Sequence, residues 1–285
     1  MLASGASGSR VPSPESREQH HPGPVLASGA SGSRVPGPGS RKQHHPGPVL
    51  ASGSSGSRVP GPESRLARPE SRPHLIYGGT FDPFHNGHLA IARLAGQTLQ
   101  VPVTLVPAAD PPHRPPPGAN AGQRLAMLEA AVAGDPGLRV DRRELDRPGP
   151  SYTVDTLREL RAELGPQAPL ALLIGADSFL GLPDWHQWQA LFGLAHLVVA
   201  ERADTMLEQL PAVLAEAVAA RWTSAPADLQ SAPAGRVLRL HQPLQAESAS
   251  DVRARIAAGQ SWQALVPPAV AAFIMAHGLY GAAAL

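Results

Sequence analysis

An α/β fold built on a parallel sheet with helices on both faces is predicted by three observations. From residue 75 onward, short apolar segments alternate with longer runs of helical spacing. Several of the short segments are apolar at every position, as strands buried on both faces must be. The first segment runs into Gly78-Gly79, as a buried strand entering a tight loop should.

The elements follow in order. Leu75–Tyr77 is the first strand, and His88–Leu99 is a helical run. Val103–Pro107 is the second strand, followed by the Pro-rich loop Asp110–Pro117. Gln123–Val132 has helical spacing with Leu125 and Leu128 on one face. Leu138–Leu145 reads as a strand, and Thr153–Leu164 as an amphipathic helix carrying Val154, Leu157, Leu160 and Leu164. Leu170–Ile174 is a continuous apolar strand, Trp188–Gly193 a short helix and His196–Ala200 a further strand. Asp204–Arg221 is helical, and Arg236–Leu240 is the last strand. Ser250–Ala258 and Pro268–His277 are helices separated by Ser261–Val266. Together they predict one Rossmann-like, doubly wound domain over residues 74–285. Ligands of such sheets bind beyond the carboxyl ends of the strands. The loops after Tyr77, Pro107, Leu145, Ile174 and Leu240 are therefore the candidate site.

Residues 1–73 read differently. LASGASGSRVP begins at Leu2 and Leu26 and recurs as LASGSSGSRVP at Leu50, a period of 24 residues. Each unit holds only an occasional Val or Leu among Gly, Ser and Pro. Too little apolar surface is available to offset the entropy of ordering, so a disordered tail is expected. The pairs His20-His21 and His44-His45 lack the further fixed ligands of a structural metal site. The charges divide at the same seam. Residues 1–74 hold nine basic and four acidic side chains, and the remainder holds fifteen basic and nineteen acidic. A mildly acidic domain argues against nucleic acid as a partner. Cys is absent from the 285 residues, which excludes thiolate metal sites, disulfides and a cysteine nucleophile. No apolar run reaches the roughly 18 residues of a membrane span, so no membrane partner is expected and a cytoplasmic location is. The sequence leaves homo-oligomerisation open.

The loop after the first strand reads Gly78-Gly79-Thr80-Phe81-Asp82-Pro83-Phe84-His85-Asn86-Gly87-His88. The glycines let backbone approach a bulky ligand. His88 opens a helix, whose N-terminal N–H groups attract phosphate, and His85 lies three residues earlier. Two imidazoles at this spacing can donate to oxygens that gain charge as a bond to phosphorus breaks. Near the end, Ser248-Ala249-Ser250-Asp251-Val252-Arg253 places hydroxyls at a helix start and a guanidinium one turn on. That combination also suits phosphate.

The run GGTFDPFHNGHL resembles the signature of the nucleotidyltransferases with an HxGH motif, and Ser248–Arg253 resembles their ISxTxxR motif. Glu247 stands where that motif carries Ile, and Ser250 where it carries Thr. The resemblance implies in-line attack on the α-phosphorus of ATP without a covalent enzyme intermediate. It makes His85, His88 and Arg253 the catalytic residues, with Mg²⁺ held mainly by the phosphates. It implies ATP contacts from Gly78, Gly79, Thr80, Phe81, Asp177, Ser248 and Ser250 as well. Three further stretches resemble bacterial nicotinate-nucleotide adenylyltransferase: Pro111–Arg114, Pro150–Thr153, and Ile174–Ser178 with Pro183–Trp188. They imply nicotinate mononucleotide contacts from Asp82, His113, Arg114, Tyr152, Thr153 and Trp185. A carboxylate fits the N-terminus of the helix opening at Thr153 better than a neutral amide does, and Trp185 offers a flat face to a pyridine ring. The expected product is nicotinate adenine dinucleotide. Nicotinamide mononucleotide or phosphopantetheine as acceptor, a nucleotide-binding regulator without turnover, and an interaction role for the tail are the competing readings.

Overall fold

A computed structural model describes residues 72–109, 118–201, 207, 209–241 and 247–283. The repeats of the tail and the loop Asp110–Pro117, with His113 and Arg114, lie outside the described residues. Arg72 and Pro73 belong to the folded part rather than to the tail. Arg72 Nη1 donates to the Gln100 carbonyl at 3.0 Å, and Pro73 is buried.

Seven strands form one sheet in which every neighbouring pair is parallel. They are β1 (His74–Gly79), β2 (Val103–Pro107), β3 (Leu138–Val140), β4 (Leu170–Gly175), β5 (His196–Glu201), β6 (Trp222–Thr223) and β7 (Val237–His241). Their order is β3-β2-β1-β4-β5-β7-β6. The chain winds outward from β1 to β3, then returns to lay β4 against the other side of β1. The order reverses between β1 and β4, and ligands of such sheets bind beyond the carboxyl ends of the strands at that point.

Alternation along the strands divides the core in two. Leu75, Tyr77, Leu105, Ala171 and Leu173 pack on one face with Ile91, Ala92 and Ala95 of α1 (Asn86–Leu99). Ile76, Val106, Leu170, Leu172 and Ile174 pack on the other with Val154, Leu157 and Leu160 of α4 (Thr153–Leu164). A third cluster joins α2 (Ala121–Val132) to the C-terminal helices α8 (Ala249–Ala257) and α9 (Pro268–Ala276) through Met127, Val252, Ile256, Val270 and Ile274. This cluster carries α8, and Arg253 with it, to the loop after β1.

Several elements are shorter than expected. The strand expected over Leu138–Leu145 stops at Val140, and a one-turn helix α3 (Arg143–Asp146) follows. The Asp141 carboxylate accepts from Arg143 N at 2.9 Å, an Asx turn that ends the extended run. The helix expected over Asp204–Arg221 is α7 (Ala212–Val218) in the described residues. Trp188–Gly193 splits into a 3₁₀ turn, Trp188–Ala190, and α6 (Leu191–Leu194). β6 and the five-residue α5 (Ala176–Leu180) were not expected at all.

Candidate active site

The end of β1 is shaped by its two glycines in different ways. A Cβ on Gly79 would lie 2.7 Å from the Phe81 ring, so the ring itself requires glycine there. A Cβ on Gly78 would meet no atom within 4 Å, and Gly78 is exposed. That open backbone lies at the carboxyl end of β1, beside the switch point. Phe81 adopts φ +50°, turning the chain sharply, and its ring is only 2% exposed. Expected as an ATP contact, Phe81 has a core side chain and can meet a ligand only through its backbone.

His85 is the N-cap of α1, with extended backbone (φ −128°, ψ 171°). Its ring accepts from the backbone N–H of His88, and His88 Nδ1 accepts from His85 N at 3.3 Å. The two residues thus form a reciprocal capping box from imidazoles. The rings lie 3.7 Å apart. Tyr77, Phe81 and Phe84 enclose His88 at centroid distances of 5.2–6.1 Å, with Phe84 stacked on it. The packing fixes the imidazole while leaving its residue partly accessible.

The same loop is tied to distant segments by Asp82. Its carboxylate accepts from Gly118 N at 2.8 Å, Ala119 N at 3.1 Å and Tyr280 Oη at 2.7 Å. Its carbonyl accepts from Arg253 Nη1 at 2.6 Å. Asp82, expected to touch nicotinate mononucleotide, is 6% exposed with its oxygens used by these protein donors. Arg253 remains partly exposed. The segment before α8 also closes on the loop: a Cβ on Gly87 would lie 3.4 Å from the Glu247 carbonyl. Ser248, rather than Ser250, caps α8, its Oγ accepting from Asp251 N at 3.1 Å. The two hydroxyls sit 3.2 Å apart.

α4 starts at Thr153 with Tyr152 as N-cap and without a side-chain cap. Neither Ser151 nor Thr153 plays the capping role that would compete with an anion. Ser151 Oγ instead accepts from Ala109 N at 3.1 Å, joining this turn to the end of β2. Beneath it lies Glu144, which accepts from Thr156 Oγ1 at 2.6 Å. Burial pushes the Glu144 carboxyl above its usual range, against the opposing pull of Thr156, Arg147 and Ser151. The Tyr152 ring packs on His186 at 4.5 Å, and Trp185 is half-buried against the α4 side of the core. Asp177 stands exposed in the first turn of α5, just past β4.

The chain's likenesses to known proteins accord with this geometry. Residues 76–255 match a family described as cytidylyltransferase-like. Over 212 residues the chain is 61% identical to the "Probable nicotinate-nucleotide adenylyltransferase" of Stenotrophomonas maltophilia, covering 72% of this chain and 96% of that protein. A protein of the same name from Marinobacter nauticus is 49% identical over 210 residues, covering 73% and 97%. The chain belongs to the nicotinate-nucleotide adenylyltransferase family. Its fold is that of the Plasmodium falciparum nicotinic acid mononucleotide adenylyltransferase solved with NaAD (TM-score 0.55, 15% identity, 72% of this chain and 96% of that one).

Two residues of this adenylyltransferase's site escaped the sequence reading. Arg124 is fully buried and donates to the carbonyls of Thr80 (2.7 Å), Ala108 (2.7 Å), Ala109 (2.5 Å) and Ala119 (3.2 Å). One guanidinium thereby fastens the loops after β1 and β2 to each other. Its signal was available: Arg124, Met127 and Leu128 share the buried face of α2, so the arginine occupies a core position. Tyr280, near the end of the described chain, carries no local signal.

Proposed function

We propose that the chain transfers the adenylyl group of ATP to nicotinate mononucleotide in NAD biosynthesis. A 5′-phosphate oxygen of the mononucleotide attacks the α-phosphorus. The bond from that phosphorus to the α,β-bridging oxygen breaks, and pyrophosphate leaves. The product is nicotinate adenine dinucleotide. The observation that supports this best is the imidazole pair His85 and His88 at the start of α1, beside the β1–β4 switch point, with Arg253 fastened to the same loop. Imidazole N–H groups, helix amides and a guanidinium there would meet the charge that gathers on the triphosphate as the bond opens.

The nucleotide arrives as its Mg²⁺ complex. Among the described residues no three His, Asp or Glu side chains gather to hold an ion. In this reading the phosphates carry Mg²⁺, which neutralises their charge. Gly78, Gly79 and Thr80 would line the phosphates, Asp177 a ribose hydroxyl, and Ser248 and Ser250 the triphosphate end. The uncapped start of α4 at Thr153 would take the pyridine carboxylate, with Tyr152 and Trp185 near the ring and His113 and Arg114 on the acceptor phosphate. We read residues 1–71 as a tail outside the catalytic domain and place the reaction in the cytoplasm.

Pyrophosphate release by the full chain with Mg-ATP, offered nicotinate mononucleotide, nicotinamide mononucleotide and phosphopantetheine in parallel, tests the reading. Preference for nicotinate mononucleotide is expected. Equal use of both mononucleotides would remove the carboxylate role of Thr153 but keep the chemistry. Silence with all three would refute the reading.

A further inference from the structure

We infer that Tyr280 is a positioning residue for Arg253, acting through the Asp82 carboxylate. The inference rests on the reading of Arg253 as a ligand of the ATP phosphates. The phenol donates to Asp82 Oδ1 at 2.7 Å, and the same oxygen accepts from Ala119 N at 3.1 Å. Oδ2 accepts from Gly118 N at 2.8 Å and lies 3.6 Å from Arg253 Nη1. That Nη1 donates to the Asp82 carbonyl at 2.6 Å. Asp82 therefore holds Arg253 by its backbone and its charge, while three donors, one of them Tyr280, hold Asp82.

The three side chains also pack as a unit around one glycine. A Cβ on Gly118 would lie 3.0 Å from two carbons of the Tyr280 ring and 3.5 Å from Cδ of Arg253. Tyr280 reaches this place from a left-handed backbone, φ +58°, which residues other than glycine rarely adopt. The chain thus holds an uncommon conformation to bring the phenol onto the carboxylate. Burial, the bond to Asp82 and its charge all keep the phenol protonated, so it remains a donor.

Arginine is a long arm whose donors recognise phosphate only when the guanidinium plane is aimed. The Arg253 side chain is 38% exposed. Its aim is set by the Asp82 carbonyl, and that carbonyl is set by the carboxylate. Without the hydroxyl the carboxylate can rotate, and Arg253 loses its reference.

The test is Tyr280→Phe in the full chain, which keeps the ring on Gly118 and removes only the donor. KM for ATP should rise by about tenfold or slightly more, the low end for one hydrogen bond to a charged group. KM for the acceptor should not change. In an Arg253→Ala background, itself impaired toward ATP, the same substitution should add almost nothing. A purely structural hydroxyl would lower the folded fraction and kcat with both KM values intact, and that result overturns the inference. So does a full Tyr280→Phe effect in the Arg253→Ala background. An Arg253→Ala enzyme with normal ATP kinetics would instead overturn the reading of Arg253 itself, and the inference with it. Should Tyr280→Phe fail to fold, Asp82→Asn keeps an oxygen for the phenol but removes the charge beside Arg253. A raised ATP KM with an unchanged acceptor KM then supports the relay, and an unchanged ATP KM overturns it.

Discussion

His88 Nδ1 accepts from the backbone N–H of His85, and the two rings lie 3.7 Å apart. The acceptor role settles the tautomer: in the neutral ring the proton sits on Nε2, making that nitrogen a donor. One imidazole thus caps its helix with one edge and can present an N–H with the other. The backbone fixes the ring, so its donor needs no reorganisation when charge develops on a phosphate oxygen.

Replacing His88 by Ala should therefore separate catalysis from stability. Removing one preorganised donor to a developing oxyanion costs on the order of 10²–10³ in kcat. Losing one arm of a capping box costs only about 1 kcal/mol. Steady-state pyrophosphate release and a urea titration of the same variant check both figures. A variant that loses stability without losing kcat would assign His88 to the cap alone.

The contrast between β1 and β3 shows what was legible in the sequence. The strand before Gly78-Gly79, the loop and the start of α1 all have local causes: apolar runs, glycines and a capping pattern. β3 ends where the side chain of Asp141 bonds Arg143 N, and periodicity cannot see that competition. β6 has two residues, too few to show any period. In the site, the residues proposed to meet a ligand stand in contiguous motifs. The residues that hold them, Arg124 and Tyr280, act through contacts spanning 44 and 198 residues. The contacts themselves leave no pattern in a single sequence, and only the core position of Arg124 on α2 was there to be read. Asp82 is the mixed case, because its place in the motif was visible and its partners were not.

Arg124 anchors four carbonyls, and its removal should be among the most damaging changes in the domain. Arg124→Met fills similar space but leaves the carbonyls of Thr80, Ala108 and Ala109 without this donor. Breaking a buried charged network costs about 3–5 kcal/mol. The urea midpoint should drop accordingly. Arg124→Lys should not restore it, since one ammonium cannot span acceptors on separate loops.

Gly78 and Gly79 should respond oppositely to alanine. At Gly79 the added methyl meets the Phe81 ring at 2.7 Å, and that ring is buried and cannot swing away. Overpacking of this kind costs about 1–3 kcal/mol, so Gly79→Ala should melt earlier. At Gly78 the methyl enters open space, so stability should be unchanged. That space is the proposed approach of the nucleotide, and Gly78→Ala should raise KM for ATP. Thermal melts beside ATP kinetics decide it. Unchanged kinetics for Gly78→Ala would move the nucleotide elsewhere.

Acid should destabilise the fold through His196 and the half-buried His74 before it titrates ordinary carboxylates. His196, wholly buried at the start of β5, bonds the Ala232 carbonyl through Nε2 and accepts from Arg236 N through Nδ1. Burial, with Arg236 and Arg161 nearby, pushes its pKa below 6.5, although the bond to Ala232 works the other way. Burial and the Arg143 charge do the same to His74, with Asp141 and Glu163 opposing. A base whose folded pKa is depressed binds its proton first in the unfolded chain. Its contribution is thus fully present above pH 6.5 and is lost as pH falls through the folded value. Glu144, raised by burial, acts in the opposite sense: its protonation as pH falls favours the folded state. Urea midpoints should therefore be flat from pH 8 to 7 and decline below about 6.5, where the unfolded histidines titrate. Replacing Glu144 by Gln should make that decline steeper, because the opposing carboxyl is gone. A midpoint that rises on acidification through this range would show that Glu144 outweighs both histidines.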